Sequence, residues 1–189
     1  MTVQIILASA SPRRKELLDQ IGVSYRVVAA DIDETVQPGE LPLAYVQRMA
    51  AEKSAACELK CGKHLPILAA DTTVVLGDVI MGKPKDKDDA FAMLRQLSGA
   101  THHVYTAISL RGNEHNQSVS MTEVSFKPLT DTELERYWHT GEPLGKAGSY
   151  AIQGLAAVFV QSIKGSFSGV VGLPLFETSQ LLIKQGIQF

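Results

Sequence analysis

Ser9-Ala10-Ser11-Pro12-Arg13-Arg14 follows a short apolar run, Ile5-Ile6-Leu7-Ala8, and precedes a helical pattern that reaches Leu18. Ser11 suits an N-cap, and Pro12 suits the first helical position, where a missing N–H costs nothing. The free N–H groups and positive dipole end of such a helix favour anions. Arg13 and Arg14 add permanent charge and forked donors that match phosphate oxygens. The segment reads as a phosphate site, although a capped helix with two solvated arginines would use the same residues.

Asp71 interrupts a strand that is otherwise apolar from Ile67 to Leu76. A carboxylate there needs compensation from a cation, a metal ion or a bound water, and beside a phosphate it could act as the base that activates water. Lys53 and Lys83 are candidate phosphate partners, with Gly82 permitting close backbone approach. Asp31, Asp33 and Glu34 supply hard oxygen donors of the kind that bridge Mg²⁺ to substrate phosphates, although a solvated acidic turn would look the same.

The elements that must hold these residues follow from periodicity and turn residues. Strands are expected at Ser24–Ala29, Ile67–Leu76 and Val79–Met81, the last two joined at Gly77-Asp78. Helices are expected from Pro42 to Leu59, from Asp86 to Leu97, after the capping box Thr130-x-x-Glu133, and after Pro174. Val104–Arg111 and Ser118–Phe126 should pair antiparallel across a polar loop, Ala157–Lys164 should form a further strand, and Gly165–Gly172 reads as a flexible connection. The sum is an α/β fold: a mixed, elongated sheet flanked by helices, in two lobes with a central cleft.

The chain has 189 residues, 45% hydrophobic and 20% charged, which suits a soluble globular protein with one expected domain, 1–189. A net charge of −2 gives no long-range attraction to nucleic acid or an anionic membrane, so a small polyanion is the expected partner. The opening residues have no basic region ahead of a signal-length apolar run, and the expected location is cytoplasmic. Cys57 and Cys61, four apart on a helical pattern, read as reduced thiols without a chemical role, and the five histidines form no metal-ligand spacing.

Taken together, these segments resemble the Maf family of nucleoside triphosphate pyrophosphatases. The strand, Ser-x-Ser-Pro-Arg-Arg and helix opening matches Leu7 to Leu18. Asp31-Ile32-Asp33-Glu34, Glu52-Lys53, Ala70-Asp71-Thr72, Gly82-Lys83-Pro84, Leu97-Ser98-Gly99, Lys146-Ala147-Gly148 and Ile152-Gln153-Gly154 follow in the family's order. The resemblance implies a Maf/ITPase-like fold and cleavage of a nucleoside triphosphate to monophosphate and pyrophosphate, with a divalent cation (Mg²⁺ or Mn²⁺) as cofactor and a homodimer as assembly. It implies Asp71 as proton acceptor and, with Glu34, as metal-side carboxylate. It also implies Ser9, Ser11, Arg13, Arg14, Lys53, Thr72, Lys83 and Gln153 as the substrate-binding set.

Arg13, Thr72 and Gln153 match the positions that mark a subgroup acting on dTTP and UTP. The Gln153 amide can pair with the O4 and N3–H edge of thymine or uracil, but a flipped amide suits cytosine, so CTP and modified pyrimidines stay open. The alternatives are the sister activity on 7-methyl-GTP, which would want an aromatic partner for a methylated purine, and a nucleotide-binding regulator of cell division without turnover. Gly145 stands where the subgroup commonly has Asp, and Ser168-Gly169 only loosely matches its later loop.

Overall fold

The computed structural model describes residues 2–189. One mixed sheet of seven strands organises it. Three buried residues, Ile5–Leu7 (β1), pair in parallel with Tyr25–Val27 (β2) and with the start of Ile67–Leu76 (β3). The β3 strand turns through Gly77-Asp78 into Val79–Met81 (β4) and pairs along its other edge with Thr101–Arg111 (β5). His115–Phe126 (β6) and Val160–Lys164 (β7) complete the order β2-β1-β3-β5-β6-β7, with β4 beside β3.

The helices are Pro12–Gln20 (α1), Pro42–Cys61 (α2), Lys87–Leu97 (α3), Asp131–His139 (α4), Phe167–Val171 (α5) and Leu175–Lys184 (α6). None among the described residues is long and apolar enough to cross a membrane. Strand alternation sorts the sheet's two faces. Leu68, Ala70 and Val74 of β3 join Leu17 and Leu18 of α1, Leu94 of α3, Leu134 of α4 and Leu182 of α6 in the main core. Ile67 and Ala69 point the other way, toward Cys57 of α2, while Val46 and Ala50 of α2 pack on Ala107 of β5.

The sheet is split at one place. Along one edge of β3, β1 pairs only as far as Leu68 and β4 begins only at Val74, while the opposite edge pairs with β5 from Ile67 to Val75. Residues 69–73 therefore have a strand neighbour on one side only. The divergence of β1 and β4 from that edge forms the cleft between the two ends of the sheet.

Four expectations change in detail. β5 and β6 start earlier in sequence than their apolar runs, at Thr101 and His115, because the backbone ladder continues through polar pairs such as Thr101↔Ser125 and Arg111↔His115. The expected strand at Ala157 begins only at Val160. Residues Leu155–Phe159 form a 3₁₀ turn instead, its first N–H groups held by the Glu142 carboxylate. Gly165–Gly172 is no loose connection: it contains α5, whose Gly169 N–H is capped by Ser166 Oγ at 3.0 Å. Ser11 holds the N-cap position of α1, yet its side chain makes no cap bond, and its N–H donates to Ser9 Oγ at 3.2 Å.

Candidate functional site

The cleft has a volume of about 350 Å³ and opens over the unpaired edge of β3. Asp71 and Thr72 are consecutive on that edge, so alternation sends their side chains to opposite faces. Asp71 faces α2, where Lys53 Nζ lies 2.6 Å from its Oδ1. Thr72 faces α1, where Arg14 Nη2 donates to its Oγ1 at 3.4 Å. A two-residue step of strand thus serves both walls of the cleft.

The carboxylate of Asp71 is buried, and Lys53 is the compensation that its place in an apolar strand requires. The same ammonium stands 2.6 Å from Glu34 Oε1, and Glu34 Oε2 accepts from Lys83 Nζ at 3.0 Å. Burial pushes the Glu34 carboxyl up, but the hydrogen bonds and charges of Lys53 and Lys83 outweigh it and hold the group down at about 2. Glu34 lies on a loop without regular structure, which α2 fastens. Tyr45 OH donates to the Glu34 carbonyl at 3.0 Å, and Arg48 Nη2 donates to the Thr35 carbonyl at 3.1 Å while its guanidinium grips Glu40.

Arg14 is built into the floor of the cleft. Its Nε donates to the Gly172 carbonyl at 2.8 Å and its Nη1 to Ser9 Oγ at 3.1 Å, while Arg13 Nε donates to the Val171 carbonyl at 3.3 Å. Burial lowers the pKa of both guanidiniums; the nearby Asp71 acts against this for Arg14, and Glu16 does so for Arg13. They stay charged at any working pH. The C-terminal end of α5 therefore orients both arginines, which explains why the segment expected to be flexible is ordered.

Opposite them, the loop from Gly145 to Gln153 forms the far wall. Gly148 donates its N–H to the Gly82 carbonyl at 3.1 Å, which ties this loop to the turn carrying Lys83. A Cβ on Gly148 would stand 2.9 Å from Val74 Cγ1, and its φ of +66° already favours glycine. The Tyr150 ring meets Phe126 and His102 edge to face, and its OH lies 2.8 Å from His102 Nε2.

Ser9, Ser11, Arg13, Arg14, Glu34, Lys53, Asp71, Thr72, Lys83 and Gln153 all line this one cleft. Asp31 and Asp33 do not; Asp33 instead accepts from Thr35 N and Thr35 Oγ1. Lys146 lines the cleft and was not selected from sequence; burial, and then the charge of Arg13, lowers its pKa. Its position inside the Lys-Ala-Gly motif was the available signal. Five cations thus face two carboxylates, an excess suited to a ligand carrying several negative charges. Cys57 is buried and both thiols are free.

Fold and cleft define an α/β protein with a cation-rich cleft at a break in its sheet. A family model described as Maf-like protein matches residues 4–185, and the chain belongs to the Maf family. A relative from Pseudoalteromonas atlantica, named dTTP/UTP pyrophosphatase, is 50% identical over 187 residues, 97% of each chain. A second of the same name, from Cupriavidus metallidurans, is 50% identical over 202 residues and the full length of both. Among solved structures, the Staphylococcus aureus Ham1 protein overlaps 65% of this chain and 71% of its own, with 16% identity and a TM-score of 0.48.

Proposed function

We propose that this chain, acting as one domain over 1–189, hydrolyses nucleoside triphosphates to the monophosphate and pyrophosphate, with dTTP and UTP preferred and water attacking the α-phosphate. The observation that carries the proposal is the pairing of Asp71 with Lys53 at 2.6 Å on the open edge of β3, inside a cleft where cations outnumber carboxylates. In this reading Arg13, Arg14, Lys83 and Lys146 hold the triphosphate, aided by Ser9 and Ser11. Asp71 accepts the proton of the attacking water. Lys53 holds that carboxylate in place, and can also meet the charge that builds on the phosphate oxygens.

Two carboxylates within reach of one ammonium make a poor closed cage for a metal, and no cluster of three or more His, Cys, Asp or Glu side chains suited to a metal occurs among the described residues. They do fit the way Mg²⁺ or Mn²⁺ is held with a nucleotide, through one or two carboxylates plus phosphate oxygens. Glu34 and Asp71 are the residues that would hold it. When bound, the cation would neutralise triphosphate charge and favour departure of pyrophosphate.

Gln153 is exposed on the far wall and is the residue proposed to read the base, with Thr72 and Arg13 lining the same cleft. The names of the relatives support dTTP and UTP as substrates. Tyr150 is the one aromatic residue among those lining the cleft, and its ring is buried among Phe126 and His102, which disfavours stacking on a methylated guanine. A cytoplasmic, homodimeric enzyme of nucleotide-pool housekeeping is the accompanying proposal.

The test is turnover of a panel of nucleoside triphosphates by the purified chain with Mg²⁺ or Mn²⁺, with pyrophosphate, orthophosphate and both nucleotide products quantified. Equal yields of monophosphate and pyrophosphate, highest for dTTP and UTP and abolished by chelation, are expected. Orthophosphate with diphosphate, or no turnover of any nucleotide, would overturn the proposal.

A further inference from the structure

Gln153 belongs to a stretch with little regular structure, yet the residues on both sides of it are fastened by one small network. The Glu142 carboxylate accepts from Leu155 N at 2.9 Å through Oε2, and through Oε1 from Ala156 N at 3.2 Å and from Tyr137 OH at 2.8 Å. Tyr137 OH in turn accepts from Ala151 N at 3.2 Å. Two N–H groups after Gln153 and one before it are thus tied to a single carboxylate–phenol pair. Tyr137 is buried at the end of α4, so the pair is anchored in the core.

Gly154 reports how tightly the carboxylate is placed. A Cβ there would stand 2.2 Å from Glu142 Oε2, inside any permitted contact. Glu142 occupies the space that a side chain at 154 would need. Neither Glu142 nor Tyr137 lines the cleft, so their effect on a ligand must pass through the loop.

We propose that Glu142 and Tyr137 are positioning residues for base selection, holding Gln153 at a fixed height and angle over the cleft. This rests on the reading of Gln153 as the residue that meets the base. An amide discriminates between hydrogen-bonding edges only when its backbone is held still, because a mobile loop lets it re-pair with whichever base is present. Charge-assisted bonds to backbone N–H groups provide that fixation.

The experiment is steady-state pyrophosphate release from dTTP, dCTP, dATP and dGTP by the full chain, its Q153A, E142Q and Y137F variants, and the E142Q/Q153A double variant. Q153A is expected to lower the preference for dTTP over the other three, in kcat/KM, about tenfold. E142Q and Y137F should lower it by a similar factor through a raised KM for dTTP, with kcat for dTTP changed by less than about twofold, and E142Q should add nothing on top of Q153A. A general loss of folding would depress all four nucleotides alike. Should E142Q fold poorly, Y137F removes a single oxygen and carries the same prediction. If Q153A erodes the preference while E142Q and Y137F leave it intact, the positioning role is overturned and the reading of Gln153 stands. If Q153A leaves the preference intact, the reading of Gln153 falls and the positioning role falls with it.

Discussion

Lys53 Nζ lies 2.6 Å from Asp71 Oδ1 and equally close to Glu34 Oε1, so one ammonium joins carboxylates from a sheet strand and from a loop that packs on α2. Its neutralisation by methionine should leave two carboxylates facing each other with only Lys83 remaining on Glu34. Removing one partner of a largely buried pair costs about 3 kcal/mol or more. K53M is therefore expected to lower the midpoint of chemical denaturation and to reduce turnover at least a hundredfold. An unchanged midpoint would show that the bridge contributes nothing to stability.

Asp71→Asn separates chemistry from binding. Lys53 keeps Glu34 as partner in that variant, and an amide of the same shape fills the same place on β3, so the fold should persist. Loss of a general base typically removes a factor of about 10² to 10⁴ in rate. The expected result is a fall of that size in kcat with the nucleotide dissociation constant, measured calorimetrically, changed by less than about threefold. Retained kcat would remove Asp71 from the role of base.

Arg14→Lys tests whether the fork matters or only the charge. The guanidinium reaches Gly172 O, Ser9 Oγ and Thr72 Oγ1 in three directions, which a single ammonium cannot reproduce. The lysine variant should raise KM about tenfold and lower the thermal midpoint, because it takes the Arg14 donor from the buried Gly172 carbonyl and loosens the hold on Ser9 and Thr72. Equal KM in both proteins would mean that charge alone suffices.

How far the site could be read from sequence depended on where the information lay. Asp71 stood out because a carboxylate in an apolar strand violates local pattern, and Ser11-Pro12 marked the start of α1 because capping preferences are local. The identity of Asp71's partner was not local. From sequence Lys53 and Lys83 read only as phosphate partners, and it is the strand alternation of β3 that turns Asp71 toward α2 and Lys53. The order in Gly165–Gly172 was hidden for the same reason: its glycines suggest freedom, and what fixes them are Arg13, Arg14 and Thr106, distant in sequence. Lys146 looks like any solvated lysine until the cleft closes around it.

Gly148→Ala probes the link between the far wall and the sheet. The added methyl would meet Val74 Cγ1 at 2.9 Å, at a backbone angle that L-residues avoid. Left-handed backbone alone costs about 1 kcal/mol, and overpacking adds about 1–3 kcal/mol. The variant should unfold at lower denaturant concentration and lose activity by displacement of the 145–153 loop, with the Asp71–Lys53 wall unaffected. Wild-type stability in that variant would mean that Val74 yields freely.

His102 gives stability a pH dependence of defined sign. It is fully buried on β5 with one ring nitrogen on Tyr150 OH and the other without a partner, and burial, followed by the charge of His103, lowers its pKa to about 4 from an ordinary 6.5. Between those values the unfolded chain takes up a proton that the folded protein refuses. Stability must therefore fall as pH drops from 6.5 toward 4 and level off below, by no more than about 3 kcal/mol from this group. Glu34 acts in a lower window: its pKa, held down at about 2 against an ordinary 4.5, stabilises the fold above 4.5 and loses that contribution as pH falls toward 2. Urea denaturation at intervals from pH 7.5 to 4 should show the first decline, and H102Q, which keeps a polar partner for Tyr150 without titrating, should flatten it. An equally steep decline in H102Q would assign the proton uptake to other groups.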